Sequence, residues 1–208
     1  YGEGCIWLCL TGGEPLLRDD FLDIYSYAFK KGFIITIFTC ATLFNKDIAE
    51  YLNRFPPFCI EVTMNGATKG TYELVTQIQN SFEKVMLGID LIRKYKLPLK
   101  LKTQLMTLNV DELSLIQNFY KTMGIRFRGS MQIDARVDGS TEPCSLRLPI
   151  AKIKELKKSQ EVLQDRDEIE GDFLNKEYST EPKNEVASFN NNLFLCPGGT
   201  WSFNVNPF

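Results

Sequence analysis

Cys5-Ile6-Trp7-Leu8-Cys9-Leu10-Thr11-Gly12-Gly13-Glu14-Pro15 is an apolar run that breaks into a two-glycine turn and then meets a proline. The unbroken run 5–10 has the pattern of a strand buried on both faces of a parallel sheet. A helix is expected next. Asp19 or Asp20 stands at its N-cap, Phe21, Ile24, Ala28 and Phe29 recur at helical spacing, and Gly32 supplies the stop. Strand, glycine turn and helix make one βα unit, and this unit sets the expected class: α/β with a parallel sheet.

The alternation continues outward from that unit. Residues 33–39 form a second strand rich in β-branched and aromatic residues. A short helix begins after Asn45 with Ile48, Tyr51 and Leu52 turned inward, and residues 58–64 make a third strand. A loop holding Gly66 and Gly70 leads to a helix over 81–95, where Phe82, Val85, Met86 and Ile89 share a face. In a fourth strand, 99–106, Leu99, Leu101, Thr103 and Leu105 alternate with Lys100, Lys102 and Gln104, so one side is polar. Asn109 with Glu112 three residues on has the form of a capping box opening a helix that ends at Gly124. Residues 125–133 are the fifth strand. Five strands with helical connections fall short of the eight in a full TIM barrel.

After Asp134 the character changes. Asp138-Gly139-Ser140-Thr141-Glu142-Pro143 is turn chemistry, and Pro149 can open a charged helix that runs to about Glu170. Residues from 171 to 192 are polar and irregular, and a new element begins at Leu193. The expected organisation is a partial barrel over 1–150, a helical and irregular linker over 151–192, and the start of a further domain over 193–208.

Bulk properties exclude several function classes. With 208 residues, 44% hydrophobic and 24% charged, the chain has the make-up of a globular protein. A formal net charge of −2 gives no electrostatic case for a nucleic acid or an anionic membrane as partner. No apolar run reaches the ~20 residues that span a bilayer, and the first residues have no signal-peptide character. The chain opens at Tyr1 rather than Met and stops at Asn206-Pro207-Phe208, as expected of a piece of a longer polypeptide. Six cysteines are too few for a disulfide scaffold; Cys5, Cys9, Cys40 and Cys59 lie in or beside apolar segments and read as buried, reduced core thiols of a cytoplasmic protein. The absence of His rules out histidine ligation and histidine acid–base catalysis.

Gly12-Gly13-Glu14-Pro15 sits at the carboxyl end of the first strand, the face on which parallel α/β folds bind ligands. Two glycines let backbone approach a ligand closely, and a carboxylate beside them can accept from an ammonium group. By itself the pattern fits a plain βα turn with an exposed Glu equally well. Its surroundings decide between the two. Leu10-Thr11-Gly12-Gly13-Glu14-Pro15-Leu16-Leu17-Arg18, followed by Asp20-Phe21, resembles the second-strand motif of radical S-adenosylmethionine (SAM) enzymes. Val62-Thr63-Met64-Asn65-Gly66-Ala67-Thr68-Lys69-Gly70-Thr71-Tyr72 resembles the fourth-strand segment of the subfamily that holds peptide-modifying and quinone-cofactor maturases. Ser81-Phe82-Glu83-Lys84-Val85, Leu101-Lys102-Thr103, Asn109 with Asp111-Glu112-Leu113, and Asp138-Gly139-Ser140 before Leu146-Arg147-Leu148 follow in that subfamily's order.

The resemblance implies a partial (β/α)6 TIM-like barrel lacking its first βα unit. Gly12, Gly13 and Glu14 would then bind the methionine end of SAM. Thr63 stands where the family often has a Ser that contacts the ribose or carboxylate, and Lys102, on the polar side of its strand, is placed either to meet the SAM carboxylate or to point into solvent. Asn65 replaces a common Asp or Tyr and inherits no role. Leu195-Cys196-Pro197-Gly198-Gly199-Thr200-Trp201-Ser202 resembles the opening of a SPASM extension, so Cys196 would ligate an auxiliary Fe–S cluster in a longer parent. Cys144 lies in a turn and receives no role.

The family's [4Fe–4S] cluster needs three thiolates, usually Cys-x3-Cys-x2-Cys. Cys5 and Cys9 have the first spacing, but the third position is Gly12. Residues four apart in a strand are also about 13 Å apart at about 3.3 Å per residue, too far to share one cluster. The parent is therefore expected to bind SAM and [4Fe–4S] clusters, and to modify a peptide, a small protein or a cofactor precursor. This chain alone is expected to bind no cluster and to be inactive, with an open sheet edge that favours self-association. Two other readings remain: a non-catalytic homologue kept as a binding scaffold, and an unrelated barrel enzyme that uses Gly12-Gly13 to cradle phosphate.

Overall fold

A computed structural model describes residues 6–136 and 138–158. The order is β1 (Trp7–Leu10), α1 (Phe21–Lys30), β2 (Ile34–Thr39), α2 (Lys46–Arg54), β3 (Cys59–Thr63), α3 (Lys69–Thr76), α4 (Ser81–Lys94), β4 (Leu99–Gln104), α5 (Leu113–Met123), β5 (Arg126–Ser130) and α6 (Ile150–Lys158). The strands form one parallel sheet in sequence order, β1-β2-β3-β4-β5. This is the expected α/β class, with five barrel-type strands side by side. Residues beyond 158, with Cys196 and the expected element over 193–208, lie outside the described residues.

The two faces of the sheet differ. One carries Ile35 and Ile37 of β2, Ile60 and Val62 of β3, and Leu101 of β4, all buried against helix residues such as Tyr25, Leu52, Val85, Ile89 and Ile116. Each such aliphatic side chain contributes roughly 1.5–3 kcal/mol by leaving water. The opposite face carries Phe38, Glu61, Lys100, Lys102 and Arg128, because side chains alternate along a strand. A second cluster of Leu105, Leu113, Leu148 and Leu156 docks α6 beside the carboxyl end of β4.

Several expectations are corrected. β1 is not covered on both faces: it forms the sheet edge, pairs with β2, and leaves Ile6 55% and Trp7 42% exposed. Cys9 is consequently exposed rather than a core thiol, while Cys40 and Cys59 are half-buried; Cys5 is outside the described residues. An apolar run reports a strand's composition, not how many neighbours cover it. The expected loop after Gly66 contains helix α3, capped by Thr68 Oγ1, which accepts from the Thr71 amide at 3.3 Å. Gly66 is needed there for a steric reason. A Cβ on it would lie 2.6 Å from the backbone N of Tyr72.

Asn109 and Glu112 do not form a capping box. A 3-10 turn over Val110–Glu112 precedes α5; Asn109 instead bonds back to Met106, Gln104 and Asn65, and Glu112 reaches Ala67, Thr68 and Thr71. Asp20 occupies the N-cap of α1 but spends its carboxylate on Arg18, at 2.8 Å. The caps at Asn45 and the stop at Gly124 are as expected: Asn45 Oδ1 accepts from the Ile48 amide at 3.0 Å, and Gly124 is left-handed with φ of 63°.

Candidate functional site

The turn after β1 leaves its backbone open. Gly12 adopts φ of 141°, a conformation that side chains disfavour. A Cβ built on Gly12 or Gly13 would meet nothing within 4 Å. Both residues are exposed, so their peptide groups face free space at the carboxyl end of β1.

Glu14 plays a different part from the one its neighbours suggested. Its Oε1 accepts from the Leu16 amide at 3.1 Å and from Thr39 Oγ1 at 2.7 Å, and its Oε2 accepts from the Cys40 amide at 2.6 Å. Thr39 Oγ1 in turn accepts from the Ala41 amide at 2.9 Å. A carboxylate has about four acceptor positions, so most of the capacity of Glu14 is spent tying the end of β1 to the end of β2. The glycine peptides are what remains for a ligand. Burial, and then the nearby Glu14 carboxylate, push the Cys40 thiol up, so it stays protonated at neutral pH.

Thr63 closes β3 and is in register with Lys102 on β4. A dense set of side-chain bonds holds these two strand ends together. Thr103 Oγ1 donates to the Met64 carbonyl at 2.6 Å. Asn65 Oδ1 accepts from the Gln104 amide at 2.9 Å. Asn109, 1% exposed, donates through Nδ2 to the carbonyls of Asn65 at 3.0 Å and Gln104 at 2.9 Å, and accepts from the Met106 amide at 2.9 Å. Asn65, which inherits no role from the family, is thus one half of the clamp that positions Thr63 and Lys102.

Lys102 does not point into open solvent. Its Nζ lies 3.8 Å from Glu61 Oε1 and 4.9 Å from the centre of the Phe38 ring. Arg128 Nη2 donates to the same Glu61 oxygen at 2.7 Å, with its guanidinium 6.0 Å from that ring. Glu61 is 5% exposed, and a carboxylate that deep requires such partners. Sequence reading missed Glu61 and Arg128. The available signal was alternation, since charges at 61, 100, 102, 126 and 128 fall on every second residue of three strands that prove adjacent.

Beyond the clamp, the Glu112 carboxylate accepts from the amides of Ala67 at 2.9 Å and Thr68 at 3.2 Å and from Thr71 Oγ1 at 2.7 Å. Partial burial pushes its pKa up, but the bonds from Thr68, Thr71 and the two amides outweigh that and hold it below the usual carboxylate range. Cys144 lies in the 3-10 turn Glu142–Leu146. Among the described residues no group of three or more His, Cys, Asp or Glu converges to hold a metal ion, so these residues do not fit a three-thiolate cluster site.

A family model described as the Radical SAM superfamily matches residues 3–121. An AdoMet-dependent heme synthase of Methanosarcina barkeri is 29% identical over 117 residues, covering 56% of this chain and 34% of that protein. A second AdoMet-dependent heme synthase, from Nitratidesulfovibrio vulgaris, is 22% identical over 114 residues, covering 55% of this chain and 30% of that protein. The chain thus spans about a third of the length of these curated relatives. Among solved structures, anSMEcpe with bound AdoMet and a peptide shares the fold at a TM-score of 0.52 and 16% identity, over 64% of this chain and 41% of that one. A domain of pyruvate-formate lyase-activating enzyme from Bacteroides vulgatus does so at 0.54 and 15%, over 76% and 92%.

Proposed function

The chain belongs to the radical SAM superfamily, and from that premise we propose that the carboxyl ends of β1, β3 and β4 hold S-adenosylmethionine for modification of a peptide, a small protein or a cofactor precursor. The observation that carries this reading is the open Gly12-Gly13 backbone beside a Glu14 that is held by Leu16 of its own turn and by Thr39 and Cys40 at the end of β2. Gly12 and Gly13 present peptide groups to the methionine end, Glu14 fixes their position, and Thr63 and Lys102 lie across the strand ends for the ribose and carboxylate. Lys102 is oriented by Glu61 and stabilised over Phe38. Gly12, Gly13, Thr63 and Lys102 would hold SAM, which together with a reduced [4Fe–4S] cluster would supply radical hydrogen-abstraction chemistry; the chemistry is the cofactors' and the protein positions them.

The sequence contains no Cys-x3-Cys-x2-Cys. The chain alone is therefore proposed to bind SAM without cleaving it. The substrate class is supported by the names of the relatives, a heme synthase and an enzyme solved with a peptide. No described helix is long and apolar enough to cross a membrane, and we place the protein in the cytoplasm with no nucleic-acid partner. The proposed oligomeric behaviour is self-association through the open edge of β1.

Calorimetric titration of the chain with SAM tests the binding reading. Saturable binding that Gly13→Val abolishes supports it, and no heat of binding defeats it. Anaerobic reconstitution with iron and sulfide should yield no 5′-deoxyadenosine. A second reading, a non-catalytic scaffold, draws on the same missing cysteine pattern. The two part on the native reading frame: Cys-x3-Cys-x2-Cys ahead of Tyr1 supports the first, and its absence supports the second.

A further inference from the structure

At the carboxyl ends of β4 and β5 a cleft of about 670 Å³ opens between the polar face of the sheet and α6. Its size is that of a small-molecule site, for which roughly 300–1,000 Å³ is usual. Its walls include Lys102, Gln104, Arg128, Ser130, Gln132 and Lys157. Among the described residues no carboxylate lines it. Glu61 reaches its margin through Arg128 and Lys102, and Asp134 does so through the Gln132 amide, at 3.1 Å. Arg128 is paired with the buried Glu61, and among the described lining residues no carboxylate faces Lys157.

We propose that this cleft is a substrate subsite in which Arg128 and Lys157 bind a carboxylate group of the molecule to be modified. Arg128 is suited to it. One of its N–H groups is held by the buried Glu61, which aims the guanidinium, while its side chain remains 42% exposed. A guanidinium has five donors, so a free edge remains to take a carboxylate in bidentate fashion. Gln104, Ser130 and Gln132 add neutral polar groups around that point. The planar fork of Arg128 matches a planar carboxylate, and a single lysine beside it suits one negative charge better than the two of a phosphate. Lys102 stays with SAM, so the subsite rests on Arg128 from β5 and Lys157 from α6. Both lie beyond the span matched by the family, 3–121, where substrate choice can vary while the cofactor site is kept.

The word substrate rests on the proposed function, whereas the anion site rests on the cleft alone. The two are tested separately by titrating the full chain with propane-1,2,3-tricarboxylate, its neutral triamide, inorganic phosphate and SAM. The tricarboxylate should bind and the triamide should not. Lys157→Gln, an exposed change on α6, should weaken tricarboxylate binding about fivefold, the scale of one exposed charge, with SAM binding unchanged. Arg128→Gln should weaken it about tenfold or more, and Arg128→Lys should recover only part, because an ammonium lacks the fork. The proposal is overturned by equal binding of acid and amide, by tighter binding of phosphate, or by tricarboxylate binding that is absent or indifferent to both substitutions. Loss of SAM binding alone would sink the cofactor reading and leave the anion site standing.

Discussion

The Glu14 carboxylate at the close of β1 accepts the backbone N–H of Cys40 at the close of β2 in a 2.6 Å hydrogen bond. The residue that makes the Gly-Gly-Glu turn recognisable therefore works as a strut between neighbouring strand ends. Its consequence for a ligand is indirect: it fixes where the Gly12 and Gly13 peptides stand.

Glu14→Ala removes the acceptor for Leu16, Thr39 and Cys40 at once. Leaving such donors without a partner costs about 1–3 kcal/mol, so the urea midpoint should fall together with SAM affinity. Glu14→Gln keeps one carbonyl oxygen and should fall less. A Glu14→Ala protein with an unmoved midpoint would show that the strut carries no stability.

Glu112 gives the fold an acid dependence. Its carboxyl is held below the usual range in the folded chain, so the unfolded state binds the proton more readily and stability rises with pH. The contribution is complete above the unfolded value of about 4.3 and is lost as pH falls through the lower folded value. Thermal melts between pH 7 and pH 3 should show this loss, and Glu112→Gln should remove that part of the pH dependence. The protection factors of the Ala67 and Thr68 amides, which Glu112 accepts, should fall in the same window.

Gly66→Ala places a methyl group 2.6 Å from the backbone N of Tyr72, where only backbone can move. The expected cost is about 1–3 kcal/mol, with α3 and the fully buried Tyr72 ring displaced. Near-ultraviolet circular dichroism and a denaturant titration would read this. A variant as stable as the parent would mean that the close approach relaxes freely.

At the sheet edge, Ile6 is 55% exposed, and Trp7 meets the ring of Phe58 edge-on at 4.7 Å. An apolar strand at a sheet edge is a template for pairing. Sedimentation velocity should show concentration-dependent association that Ile6→Lys suppresses. A chain that stays monomeric at high concentration would remove the case for edge pairing.

Local signals in the sequence located most of the elements. β2, β3 and β4, the Asn45 cap, the stops at Gly32 and Gly124, and the polar alternation of Lys100, Lys102 and Gln104 all depend on neighbours within a few residues. Helix α3 was not legible because Gly70 and its threonines resemble a loop, and its amino end is secured by Glu112, 44 residues away at Thr68. The same contact explains why the Asn109–Glu112 pair, capping-box in spacing, caps nothing locally. The exposure of Cys9 was hidden as well, since six apolar residues in a row do not say whether one neighbouring strand is present or two.

The sequence by itself determined the βα alternation, the parallel class, the glycine turn at a strand end and the family. These are properties of short windows, where backbone preference and side-chain period act directly. Only the tertiary structure decided that Glu14 is a strut, that Asn65 and Asn109 clamp β3 to β4, and that Glu61 orients Arg128 and Lys102. Those partners stand 25 residues apart for Glu14 and Thr39 and 67 for Glu61 and Arg128. Their meeting depends on strand order and register, since a slip of one residue would turn every one of these side chains to the other face.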